Sequence, residues 1–313
     1  MKKILSLLIV VLGLCTLAIA QDAPDTAAAP EAPKQKFARA TFNSTKVINM
    51  QSVEIVTKGN LQFMINHHFG YFWNKDLAPA GSGKRFQQNA AHFFGLNAGI
   101  ANTYLSFDYS PASFANVGIA ASGRAVFEGW AKFKILRQQT GDRNIPVTLG
   151  WYSMANIYTG LSTADEFTDN RWSFMHQLLI ARKFSNKLSL QLMPTLIHFN
   201  VVPYGINNSN LVWSLGMAGK YKLTSKLNLT LEYARQLNMH ENLVTKNGTI
   251  INYSPDMLSA GLEINTGGHL FQFFVGNTTD ASNIDHLARN NSWIKDGQFA
   301  FGFTINRSLS LKK

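Results

Sequence analysis

Nine charged residues stand in stretches where apolar and polar side chains alternate: Asp108, Glu128, Lys132, Lys134, Lys183, Lys220, Lys222, Glu232 and Glu263. Lys132 and Lys134, like Lys220 and Lys222, are two residues apart, which puts both members of a pair on one side of an extended chain. Charges arranged this way pair with one another or set up a field along a wall. They attract and position ions and do not by themselves break bonds. Bond-breaking chemistry needs a nucleophile, a histidine and an orienting polar group that meet at one point. The chain has serines and eight histidines, but no nucleophile elbow and no local constellation of the three. A hydrolase is the weaker alternative, and no catalytic residue is assigned.

Metal and cofactor chemistry find no better footing. His67 and His68 are adjacent, so on a strand they point to opposite faces and cannot hold one metal. His176 and His198 fall on predicted outward faces. Asp and Asn crowd 163–170 and 277–285, but without EF-hand spacing, so these stretches read as solvated loops. There is no Walker loop and no dinucleotide-binding glycine fingerprint, and no cofactor is expected. The one cysteine, Cys15, lies in an N-terminal apolar run.

The elements that must position the charges are strands. In Asn210–Gln236, Leu211, Trp213, Leu215, Met217, Gly219, Tyr221 and Leu223 share one face, with Val212, Ser214, Gly216, Ala218, Lys220 and Lys222 opposite. After Thr224-Ser225-Lys226, Leu227, Leu229, Leu231 and Tyr233 repeat the apolar face. This is a period-two hairpin, and each arm is long enough for a tilted membrane-crossing strand of ~9–11 residues. The same pattern predicts strands over Leu61–Phe69, Ile100–Tyr109, Val117–Ala121, Phe127–Leu136, Val147–Ala155, Trp172–Lys183, Leu188–Phe199, Met257–Asn265, Leu270–Gly276 and Gln298–Asn306. Pro194 removes a ladder donor and predicts a local bulge. Val117–Ala121 is short for a spanning strand.

Every second connection is short, and most of the others are long and polar. That asymmetry, with an even strand count, is the pattern of an antiparallel up-and-down transmembrane β-barrel with short periplasmic turns and longer extracellular loops. The expected count is about 12 strands, within 10–14. Tyr109 and Tyr221 fall at predicted periplasmic ends, and Tyr71, Trp172, Trp213 and Phe299 at extracellular ends, as two aromatic girdles. The nine charges then face the lumen. Lys132, Lys134, Lys183, Lys220 and Lys222 lie toward the periplasmic end with Asp108 and Glu263; Glu128 and Glu232 lie nearer mid-height. An arginine introduced on the lipid face, at Leu229, is expected to hurt more than one in the lumen, at Thr230.

The N-terminus is consistent with export. Lys2 and Lys3, the apolar run Ile4–Leu17 and Ala18-Ile19-Ala20 make residues 1–20 a cleavable signal peptide. Residues 21–36, rich in Pro, Ala and charge, read as a disordered periplasmic linker. Residues 37–60 are too apolar for that and read as a lead-in or plug, with the barrel over 61–313. The formal charge is +11, which favours anionic partners. An exported chain without a recognition motif is not expected to bind nucleic acid. The expected surroundings are outer-membrane lipid and lipopolysaccharide, with barrel-assembly machinery during insertion.

Arg39-Ala-Thr-Phe-Asn-Ser-Thr-Lys-Val-Ile-Asn49, Ser52-Val-Glu54, Leu61-Gln-Phe-Met-Ile-Asn-His-His-Phe-Gly70, Phe94-Gly-Leu96 and Lys132-Phe-Lys-Ile-Leu-Arg-Gln138 resemble an uncharacterised family of Gram-negative outer-membrane β-barrels, a domain of unknown function. The resemblance implies barrel and outer-membrane location and carries over no site residues. Two functions remain open. One is a channel or transporter for small solutes, anion-leaning because five inward lysines face two acids at one end. The other is a structural or adhesive barrel with a packed or plugged lumen and ligand-binding outer loops.

Overall fold

The computed structural model describes residues 35–73, 102–123, 125–159, 172–201, 209–238, 242–246, 249–251, 255–290 and 292–311. Period-two alternation closes into one sheet. Its strands are β1 (Asn60–Trp73), β2 (Asn102–Ala112), β3 (Ala115–Ser122), β4 (Val126–Leu136), β5 (Thr148–Tyr158) and β6 (Trp172–Lys183). They continue as β7 (Leu188–Phe199), β8 (Leu211–Lys222), β9 (Leu227–Gln236), β10 (Met257–Asn265), β11 (His269–Gly276) and β12 (Phe299–Ser310). Each pairs antiparallel with its sequence neighbour, and β12 pairs with β1 to complete a closed barrel. Closure leaves no unpaired sheet edge, the condition for crossing a bilayer with strands. No helix among the described residues is long and apolar enough to cross one.

The two faces differ as the alternation requires. Along β8 even-numbered residues are buried from Val212 to Lys220, while Leu211, Trp213, Met217 and Tyr221 are exposed. Ile119, Phe127, Leu231, Leu262 and Phe273 continue the outward apolar belt on other strands. An outward apolar belt on a closed sheet is the exterior of a transmembrane β-barrel.

Strand β3 spans eight residues rather than the five expected, and it pairs on both sides. Pro194 makes no bulge. Its neighbours keep one register with β8, where Pro194 pairs with Leu215, and with β6, where Gln177–Thr195 and Ile180–Leu192 flank the proline without a shift, and it falls on the lipid side of the alternation. The stretch from Asn277 to Ala288 corrects the solvated-loop reading. It is buried throughout and carries a short helix α1 (Asn283–Ala288), capped by Ser282. The companion stretch 163–170 lies outside the described residues.

Candidate functional site: a filled lumen

Two segments occupy the interior. One is Thr41–Val56, which precedes β1 at the end of the barrel with the short turns. The other is 277–290, which enters from the opposite end with the long loops. The first folds on itself as a tight hairpin. Val47 N–H donates to Met50 O, Ser52 N–H donates to Thr45 O, and Lys46 pairs with Gln51. Phe42, Val47, Ile48, Met50, Val53 and Val56 are nearly or fully buried. Its polar groups are met by inward side chains from around the barrel, not by a backbone ladder.

Glu232, on β9, receives the hairpin tip. Its carboxylate accepts N–H groups of Ile48 at 2.7 Å, Asn49 at 3.0 Å and Met50 at 2.9 Å. Successive N–H groups converging in this way make an anion-binding nest. Lys132, on β4, serves the hairpin base with the opposite polarity. Its ammonium donates to Thr45 O at 2.9 Å, Ser52 O at 3.0 Å and Glu54 O at 3.2 Å. Glu54 pairs with Lys134 at 2.8 Å and accepts from Thr41 N–H. Burial would raise the Glu54 carboxyl, but Lys134 and the N–H donors of Thr41 and Phe42 hold it below the usual carboxylate range. Gln191 grips both sides of one turn, accepting from Val53 N–H and donating to Gln51 O, each at 2.7 Å.

Glu128 does for the second segment what Glu232 does for the first. It accepts Asn283 N–H at 2.9 Å and Tyr104 O–H at 2.7 Å. The two insertions meet where Gln51 Nε2 donates to Asn283 Oδ1 at 3.1 Å. Asp108 accepts from Asn116 at 2.6 Å and from the Trp130 indole N–H at 3.0 Å. Gly118 makes this possible, since a Cβ there would fall on the Trp130 ring. Glu263 accepts from Asn228 at 3.0 Å and from Asn43. Lys220 donates to Asn43 Oδ1 at 3.1 Å, Lys183 reaches the Arg39 and Ala40 carbonyls, and Lys222 is exposed at the mouth. The nine charged residues therefore fall on the lumen side, but apart from the lysines at the turn-end mouth they do not line open water. Most hold an inserted segment.

The periodicity missed Lys46, whose ammonium lies 4.1 Å above the Tyr104 ring in the field of Glu128, Asp108 and Glu232. It also missed Glu54, Gln51 and Asn283. None of these lies in an alternating strand, so no face could be assigned to it. Thr230 is buried and donates to Gly261 O, so the lumen has no free room for the mild arginine expected there. His67 stacks on Phe303 outside, while His68 faces His286 inside. Among the described residues no three metal-ligating side chains cluster. His176 and Ser153 hydrogen-bond at 2.9 Å. Tyr109 and Tyr221 are exposed at the turn end, and Trp172 and Trp213 at the loop end. Phe299 begins β12 at that end, and Tyr71 there bonds Ser292.

A closed antiparallel sheet with an apolar exterior and a polar, filled interior defines a membrane-spanning β-barrel. Residues 42–309 match the family described as membrane bound beta barrel domain (DUF5777), and the chain belongs to that family. Among solved structures it is similar to the KdgM porin, at 8% identity and TM-score 0.44 over 80% of this chain and 99% of that one. The NanC porin is similar at 8% identity and TM-score 0.46, over 80% and 100% of the two chains. An outer membrane channel from Pseudomonas putida F1 is similar at 11% identity and TM-score 0.45, over 82% and 97%. No curated protein sequence matches the chain.

Proposed function

We propose that the protein is an outer-membrane channel for small solutes whose lumen is filled by its own segments 41–56 and 277–290, the first of which is the releasable one. One observation carries the reading: the segment is held through side chains of the wall, with no ladder bond to any barrel strand among the described residues. It can leave without breaking the sheet that keeps the barrel in the membrane. A permanently packed core has no need of carboxylate and ammonium anchors, which are costly to bury. Once the segment leaves, five lysines face the turn-end half of the lumen against Asp108 and Glu263, so the conducting state prefers anions. The apolar belt meets outer-membrane lipid and lipopolysaccharide.

The test is planar-bilayer conductance of the refolded protein and of a variant lacking 41–56, with 278–290 also replaced by a short Gly-Ser linker. The wild type should show no steady current, and the variant a steady, anion-selective one. A silent variant that remains a folded barrel defeats the channel reading. A cation-selective one defeats the charge assignment.

A further inference from the structure

At the turn end, where β6 turns into β7 and β8 into β9, a cavity of about 120 Å³ opens beside the inserted segment. A single water needs only ~10–15 Å³ of such space, so there is room for a small solute. Lys183, Lys187, Lys220 and Lys222 line it, together with Asn43 of the inserted segment and Asn228. Lys220 stands in the field of Glu263 and Glu54 as well as of its like charges Lys183 and Lys222. The acid behind them, Glu263, has its carboxylate occupied by amide donors from Asn43 and Asn228. Four lysines line the cavity and no acid among the described residues does, so even with Glu263 behind them the concave surface carries a positive field.

The same lysines hold the root of the inserted segment, and only weakly. Lys183 lies 3.4 Å from Arg39 O and 3.5 Å from Ala40 O, and Lys220 lies 3.1 Å from Asn43 Oδ1. These partners are neutral acceptors. An oxyanion is a charged acceptor, so it adds direct charge attraction to the hydrogen bond that an ammonium makes with a neutral carbonyl. It competes for the same N–H groups that tie residues 39–43 to the wall.

We propose that this cavity binds small polyvalent oxyanions, phosphate or carboxylate compounds, and that its occupancy competes with docking of residues 39–43. The inference deepens the closed-channel reading by giving the closure a chemical trigger. The lining belongs to the lumen face and its mouth rather than to the apolar belt, which selects dissolved anions over lipid headgroups. Competition is reciprocal: whatever the ligand does to docking, docking does to the ligand's affinity.

The experiment titrates inorganic pyrophosphate into the refolded full-length barrel by calorimetry and follows hydrogen exchange of residues 39–45. Saturable binding is expected. It should weaken at least about tenfold in Lys183→Gln/Lys220→Gln, and also in Lys222→Gln, whose exposed side chain can be replaced without disturbing the fold. Removing equal charge from exposed Lys36 and Lys58 should leave binding unchanged. Exchange at 39–45 should quicken on saturation. Absence of saturable binding, or equal loss in the Lys36→Gln/Lys58→Gln control, overturns the site. Binding with unaltered exchange overturns the competition. Neither readout uses conductance, so a silent plug-deleted barrel would sink the channel reading and leave the site standing.

Discussion

Lys132→Met tests how the inserted segment is held. The substitution keeps length and removes the ammonium that serves Thr45 O, Ser52 O and Glu54 O. Thr45 O keeps the bond from Ser52 N–H, but Ser52 O and Glu54 O then face an apolar tip. Each buried acceptor left without its donor costs ~1–3 kcal/mol, or ~2–6 kcal/mol for the two. Removing a buried cation returns part of this, because its own desolvation penalty disappears. The net weakening of docking is about 2–4 kcal/mol, a roughly 30- to 900-fold shift toward the undocked segment. Hydrogen exchange read by mass spectrometry on residues 44–54, in a barrel shown intact by its heat-modifiable migration, measures that shift. Fast exchange there, with unchanged exchange along β8 and β9, is the expected result. Wild-type protection across 44–54 would refute the anchoring role of Lys132.

Glu54 makes docking depend on pH. Its folded carboxyl lies below the ordinary value of ~4.3, so its contribution is full above that value and is lost as pH falls through the lower folded value. Protection of 41–54 should drop in that acid window, and Glu54→Gln should abolish this component of the drop; an identical acid profile in both proteins speaks against the Glu54–Lys134 pair. Leu229→Arg places charge on the lipid face and should cost the barrel ~2–4 kcal/mol in urea titration, whereas Thr230→Arg should first expel the hairpin, seen as exchange at 44–54. The reverse order of effects would mean the faces are misassigned. Gly118→Val should push the Trp130 indole off Asp108, giving a red-shifted tryptophan emission; an unmoved spectrum contradicts the packing.

The sheet was legible because a barrel strand writes its two environments into alternate residues. All twelve predicted strands are present, and Trp172–Lys183, Leu188–Phe199 and Met257–Asn265 keep their predicted ends. The inward direction of Lys132, Glu128 and Glu232 followed from the same period. What those residues touch did not. Thr41–Val56 and Asn277–Ala288 are irregular, so no period reveals that they are buried. Their polar residues, Asn49, Gln51, Thr278 and Asn283, look like loop residues until wall side chains satisfy them. Residues 277–285 therefore look solvated in the sequence, and the alternation alone leaves open whether the lysines line water or grip the lead-in segment. The Pro194 bulge failed for a smaller reason: losing one donor is not enough to shift register when pairing on both flanks continues.

A covalent clamp tests the central claim, that the N-terminal hairpin sits in the lumen and closes it. The chain's single cysteine, Cys15, precedes the first described residue. Asn306 on β12 donates to Ser44 Oγ at 2.9 Å, so Ser44→Cys with Asn306→Cys puts one thiol on the hairpin and one on the wall at this contact. This pair should oxidise in the membrane, the clamped barrel should stay non-conducting under conditions that open the wild type, and reductant should restore opening. A pair that does not cross-link, or a clamped barrel that conducts as freely as the reduced one, would contradict the claim.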